Sequence, residues 1–207
     1  MRNEKKTERQ KQITEAAYSV LAEKGYVGAS MLSIAKKAKA SNETLYRWYG
    51  NKQGLFRDLV AQNAELVAAQ LEEELGKTGH SLKVLEVVGE RLLAMLLSPR
   101  AVMLNRAAAA DAEVSGELGQ ALAEAGRNRV FPLLVQLLEQ LKEDGFLCFD
   151  HVVEVAELYV ALLVGDMQIR RVTGVLAEPS PDDIRRRALR ASERLAAIYG
   201  PVARGAS

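Results

Sequence analysis

Ser30 and Ser41 each stand immediately before a short stretch whose apolar residues recur at helical spacing, and this pair constrains the fold more than any other feature. A serine in that place accepts from first-turn amides that a helix cannot pair internally. Helices so short do not hold in water alone. The stretches over residues 31–38 and 42–49 must therefore pack on a neighbour. Residues 7–24 supply one, because Ile13, Ala16, Ala17, Val20 and Leu21 form a single apolar stripe. Thr7 with Gln10 reads as the capping box of this first helix, and Gly25 as its stop. Asn51 caps a fourth helix over 52–75, with Leu55, Phe56, Leu59, Val60, Leu66 and Val67 on its inner side.

Residues 76–81 form the clearest boundary. Beyond them the periodicity predicts helices at 82–97, 101–113, 115–144, 150–172 and 182–199, punctuated by Pro99, Gly145, Gly174, Pro179 and Pro181. Pro132 falls inside one of these, so that helix is kinked or split near Arg129. The expected fold is all-α: an N-terminal three-helix head with a helix-turn-helix, joined by a long fourth helix to a helical C-terminal body. A hydrophobic share of 48% with 27% charged residues predicts order everywhere except the ends, 1–6 and 201–207. The single cysteine, Cys148 between Leu147 and Phe149, allows no internal disulfide and reads as a buried or half-buried apolar residue. Residues 1–12 are too polar for an export signal, and the longest apolar run, 158–164, is far short of the ~20 residues a membrane span needs. A soluble, cytoplasmic protein without a membrane partner is expected.

The formal net charge of +1 hides an asymmetry. Residues 1–57 carry a net +7 and the remainder a net −6. A basic head on an acidic body points to a polyanion-binding module attached to a part with another task. Two short helices across a tight break, packed on a longer one, form a helix-turn-helix. Its second helix needs a polar leading turn and an apolar rear. Asn42, Glu43 and Thr44 are that leading turn, and Leu45 and Tyr49 the rear. Arg47 projects near the groove, flanked by Tyr46 and Trp48, and Lys52 opens the fourth helix, where a cation beside free amides suits a phosphate. Arg47 can pair with guanine, Asn42 with adenine, and Glu43 can accept from the cytosine amino group. Trp48 can touch phosphate or pack on the first helix.

Gly25-Tyr26, Ser30, Ile34-Ala35, Ala38, Ser41, Thr44-Leu45-Tyr46, Trp48-Tyr49, Asn51-Lys52 and Leu55-Phe56 follow one register, and over roughly 9–60 the chain resembles the N-terminal signature of the TetR family. The resemblance implies a homodimer, usually a repressor, that binds double-stranded operator DNA and is loosened by a small effector held in its C-terminal helices. It implies backbone contacts from Thr44, Tyr46 and Lys52 and base-facing positions at Asn42, Glu43 and Arg47, with Ser30, Lys39, Ser41 and Trp48 completing the DNA-facing set. The expected division is a DNA-binding domain over 1–56 and an effector-binding and dimerisation domain over 57–207. One departure stands out: Lys39 occupies the turn site where the family usually places glycine. Either the turn carries a modest strain, offset by a lysine–phosphate contact, or it takes a different shape.

In the body, 152–164 is apolar nearly all round, and Ile184, Ala188, Ala191, Leu195 and Ile198 form a stripe on the last helix, with Arg185, Arg186, Arg187, Arg190 and Arg194 largely outside it. The resemblance implies that these two helices pair with their symmetry mates, which places Val155, Leu158, Leu162, Ile184, Ala188, Ala191 and Leu195 at the dimer interface. The arginines fit a solvated face or a second nucleic-acid patch. Met95, Leu96, Met103, Asn105, Arg106, Phe131, Tyr159 and Met167 are a set able to line a mostly apolar effector cavity, or simply to be core. Residues 100–122 loosely resemble the C-terminal domain of the AefR-like subgroup.

No enzyme pattern emerges. His80 and His151 fall in or beside predicted breaks, without metal-site or nucleophile–base spacing, and no glycine-rich phosphate loop is present. No catalytic residue, cofactor or metal is expected. A helical adaptor that binds only proteins would account for the acidic body but not for the basic, polar-tipped third helix.

Overall fold

The structure, a computed structural model, describes residues 2–77 and 81–201, with side chains from Lys6 onward. His80, the centre of the expected boundary at 78–80, and most of the expected irregular C-terminal end lie outside the described residues. Every regular element among those described is helical. The order is α1 (Arg2–Gly28), α2 (Met31–Lys37), α3 (Asn42–Tyr49), α4 (Lys52–Leu75), α5 (Lys83–Leu96), α6 (Pro99–Asp111), α7 (Glu117–Ala125), a π-helical turn (Gly126–Val130), α8 (Phe131–Glu143), α9 (Val152–Val164), α10 (Met167–Val172) and α11 (Pro181–Tyr199).

Local chemistry accounts for most boundaries. Ser30 and Ser33 form a reciprocal capping box on α2, and the Ser41 hydroxyl accepts from the Thr44 amide at 3.1 Å. The Asn51 side chain accepts from the Gly54 amide at 2.7 Å at the head of α4. Gly25 breaks the regular path of α1 with φ 65, as expected of a stop. At the other end, α1 begins at Arg2, inside the segment expected to be irregular, so Thr7 is interior to the helix and not at its cap position. Pro132 shapes the predicted break: it has no N–H and its ring crowds the carbonyl four residues back, and the turn before it winds as a π-helix. Gly165, at φ 51, splits what the periodicity read as one helix into α9 and α10.

The chain packs as two compact units that are not contiguous in sequence. One comprises Met1–Asn63 with Pro99–Ala125. Its core is built on Ile13, Ile34, Leu45, Phe56, Leu104 and Leu118. Helices α6 and α7 thus share a core with the three N-terminal helices, which one-dimensional periodicity does not reveal. Glu15 of α1 pairs with Arg100 of α6 at 2.5 Å across this packing.

The other unit comprises Ala64–Ser98 with Gly126–Ser207. Here α11 packs on α5 and α9, and α8 on α9. Arg129, in the π-turn, grips Glu65 from Nε and Nη2, both at 2.7 Å, and Glu72 from Nη1 at 2.8 Å. Glu74, buried on α4, is paired with Arg91 at 2.8 Å and Lys77 at 2.9 Å. Leu66, expected on the inner side of α4, is exposed. Cys148, expected to be sheltered, is exposed too; its amide donates to the Tyr199 carbonyl at 2.7 Å.

Candidate DNA-binding site

The break between α2 and α3 closes as a Schellman turn. The Ala40 amide donates to the Ala35 carbonyl at 3.0 Å and the Lys39 amide to that of Lys36 at 3.3 Å. This pattern needs a left-handed residue between them. Lys39 takes that role at φ 51, the one non-glycine residue with positive φ among the described residues. Of the two alternatives left by the missing glycine, the turn is therefore the left-handed one, at a conformational cost of about 1 kcal/mol. Arg9 of α1 reaches the same turn, with Nη1 donating to the carbonyls of Ala38 (3.4 Å) and Lys39 (3.3 Å).

On α3, Leu45 is wholly buried and pins the helix to the core under α1 and α2. Asn42, Glu43, Tyr46 and Arg47 are exposed on the opposite side, with Tyr46 at 48%. Thr44 is half-buried, its hydroxyl 2.8 Å from that of Ser41. Trp48 packs against the core and meets the Tyr49 ring edge-on at 6.4 Å, so its indole has a packing role in the free protein. Burial pushes the Tyr49 phenol up to about 12, with a smaller push from Asp58. Ser30 and Lys39 are exposed at the two ends of α2, where Lys36 and Lys37 also face solvent. The exposed DNA-facing candidates from Ser30 to Arg47 thus all belong to one compact unit.

Lys52 makes contacts that its place in the sequence does not suggest. Its ammonium is turned onto the carbonyls of Tyr26 (2.8 Å) and Ala29 (3.0 Å) and lies 4.0 Å from the Tyr26 ring centroid. A lysine so held fastens the start of α4 to the segment after α1. It is half-buried, and partial desolvation lowers its pKa. Neither this fastening nor the reach of Arg9 was visible in the sequence, because both run to backbone carbonyls distant in the chain.

The effector set is divided between the two units. Met103, Asn105 and Arg106 lie on α6 in the first unit, while Met95, Phe131, Tyr159 and Met167 belong to the second. The Asn105 amide donates to the Ala101 carbonyl of its own helix at 2.9 Å, and Arg106 is exposed. Tyr159 is core: wholly buried, it donates its hydroxyl to the Leu85 carbonyl.

The interface set divides as well. Val155, Ala188, Ala191 and Leu195 are buried within the protomer and have no surface to give a partner, whereas Leu158, Leu162 and Ile184 are half-buried. Ile198, read as part of the same stripe, is exposed. The buried part of the stripe on α11, Ala188, Ala191 and Leu195, belongs to the core shared with α5 and α9 of its own chain. The arginines beside it are engaged locally: Arg185 pairs with Asp182 at 3.1 Å, Arg186 pairs with Asp183, and Arg187 donates to the Leu163 carbonyl at 2.8 Å. His151 is exposed at the head of α9. No cluster of three potential metal ligands occurs among the described residues.

Residues 13–59 match the family profile described as bacterial regulatory proteins, tetR family, and residues 83–201 match the one described as the AefR-like transcriptional repressor C-terminal domain. The chain belongs to the TetR family. It is a transcriptional regulator with a helix-turn-helix DNA-binding head. Among solved structures, this TetR-family protein is similar to a regulator from Mesorhizobium loti MAFF303099, with TM-score 0.81 and 26% identity over 94% of this chain and 98% of that one. A TetR regulator from Agrobacterium tumefaciens superposes with TM-score 0.72 at 28% identity, over 94% and 95% of the two chains. Among curated proteins, it is 31% identical over 121 residues to the Bacillus subtilis HTH-type regulator YdeS, a match spanning 58% of this chain and 56% of that protein. A shorter match, 38% identical over 66 residues, joins it to YvkB of the same organism, across 35% of that protein. No helix among the described residues is long and apolar enough to cross a membrane.

Proposed function

We propose that this TetR-family regulator is a cytoplasmic repressor that binds a palindromic operator as a homodimer and is released by a small, mostly apolar effector. The observation that carries the reading is the division of α3. Leu45 is buried while Asn42, Glu43 and Arg47 stand exposed on a helix with a basic surround. In this reading residues 1–56 bind DNA, and 57–207 serve effector binding and dimerisation. Asn42, Glu43 and Arg47 read base edges. Ser30, Lys39, Ser41, Thr44, Tyr46 and Trp48 line the backbone, and Lys52 holds the frame from behind. Two copies of α3 must sit about 34–36 Å apart, or a multiple of that, to enter successive major grooves. An effector acts by preferring one spacing of the two helices over the other.

The effector part rests on half-buried apolar side chains of the second unit, Met95, Phe131 and Met167. The dimer part rests on apolar residues left at the surface of α9 and α11, Val153 at 50% and Leu189 at 39% exposure, beside half-buried Leu158, Leu162 and Ile184.

Selection of bound duplexes from a fragmented genomic pool, followed by anisotropy titration, tests the reading. A palindromic sequence should be enriched, and Arg47→Ala should relax preference at one base position of each half-site by about 1–3 kcal/mol. Recovery of no sequence above the pool background would overturn it.

A further inference from the structure

The turn between α2 and α3 is held left-handed at a lysine, and the group that reaches it comes from α1. We propose that Arg9 is a positioning residue for operator binding. Its guanidinium, donating to the carbonyls of Ala38 and Lys39, holds the turn in this conformation and so sets the placement of α3 and the direction in which Lys39 leaves the surface. The proposal rests on α3 being the reading helix.

The turn's own bonds engage the carbonyls of Ile34, Ala35 and Lys36, which accept from Ala38, Ala40 and Lys39. The carbonyls of Ala38 and Lys39 lie past the end of α2, and Nη1 of Arg9 is within hydrogen-bonding reach of both. That double reach ties Arg9 to the observed backbone, since rotating Lys39 to negative φ would swing its carbonyl out of range. A charged donor on a carbonyl makes a stronger bond than a neutral one. Arg9 is itself oriented by Gln12, whose Oε1 accepts from the same nitrogen at 3.1 Å, and it is half-buried on a helix anchored by Ile13, Ala16 and Ala17. Glycine at position 39 would adopt this φ unaided. Lysine there places a cation at the mouth of the reading helix but needs an external hold. Arg9 supplies that hold, and the two residues act as a pair.

Four full-length proteins test the pairing: wild type, Arg9→Ala, Lys39→Gly and the double variant. The first readout needs no DNA. Exchange of the Ala40 amide, which closes the turn, should quicken about fivefold in Arg9→Ala and return to the wild-type rate in the double variant. Equal rates in all four, or faster exchange throughout the head, would overturn the proposal. The second readout is affinity for the enriched duplex at several salt concentrations. Arg9→Ala should bind about fivefold more weakly with an unchanged salt slope, and the double variant should match Lys39→Gly alone. A salt slope reduced by about one, with no rescue by glycine, would make Arg9 a direct phosphate contact and overturn the positioning role. Failure of the wild type to retain any duplex would count against the regulator reading, while the Ala40 exchange would still decide whether Arg9 holds the turn.

Discussion

The Lys52 ammonium lies 4.0 Å from the centroid of the Tyr26 ring while donating to the Tyr26 carbonyl, so one residue fastens the start of α4 both to the face and to the backbone of another. Tyr26 also meets Phe56 edge-on at 4.9 Å, carrying the fastening into the core. Lys52→Met keeps the aliphatic stem and removes the charged donors. Its partial exposure discounts the loss to about 1 kcal/mol. Urea unfolding followed through Trp48, the single tryptophan, should show a lower midpoint with an unchanged slope. An unchanged midpoint would show that the contact contributes nothing to the head.

Gly89 of α5 should not tolerate a methyl group. A Cβ there would collide with the Tyr159 hydroxyl and lie 3.2 Å from both the Ala188 Cβ and the Leu163 Cδ1. Tyr159 is wholly buried and its hydroxyl is engaged by Leu85, so it cannot yield as a surface side chain would. Overpacking of this kind costs about 1–3 kcal/mol, against about 1 kcal/mol of helix propensity that alanine gains over glycine. Gly89→Ala should lower Tm by several degrees, and a rise in Tm would refute the close packing of α5, α9 and α11.

Tyr18, Tyr26 and Tyr49 define the alkaline limit. Burial is the main cause in each case, and it pushes all three phenols up to about 12 from an ordinary 10. A phenol that ionises more easily in the unfolded chain contributes stability that is complete below pH 10 and lost as pH rises toward 12. Stability should therefore fall across that window. Denaturant midpoints from pH 9 to 12 should show a shallower fall for Tyr49→Phe than for wild type, and identical profiles would contradict this assignment.

Leu189 and Ala188 are neighbours on α11 with opposite expected behaviour. Leu189 is partly exposed, so Leu189→Glu should leave the protomer folded while driving the proposed homodimer toward monomer in sedimentation. Ala188 is wholly buried against the protomer's own core. Ala188→Leu should instead destabilise the fold by about 1–3 kcal/mol. If both variants simply unfolded, or both remained dimeric, the division of α11 into a core side and a partner side would fail.

Capping chemistry made the head legible in the residues alone. Ser30, Ser41 and Asn51 each place an acceptor before a helix, and Gly25 permits the φ at which α1 kinks, so the starts of α2, α3 and α4 fall where the side chains demand. The polar tip and apolar rear of α3 are written in the same local way, as alternation around one short helix. What tertiary packing settled is which surface each apolar stripe meets. Ala188, Ala191 and Leu195 have a periodicity that fits a partner subunit as well as their own core, and the close approach of α5 chose the core. Helices α6 and α7 joined the N-terminal core through Leu104 and Leu118 for the same reason. Lys52 and Arg9 ended on carbonyls far away in the chain. Hydrophobic burial is non-directional, so a stripe encodes that it will be covered but not by what; hydrogen bonds to backbone leave no partner residue type to read.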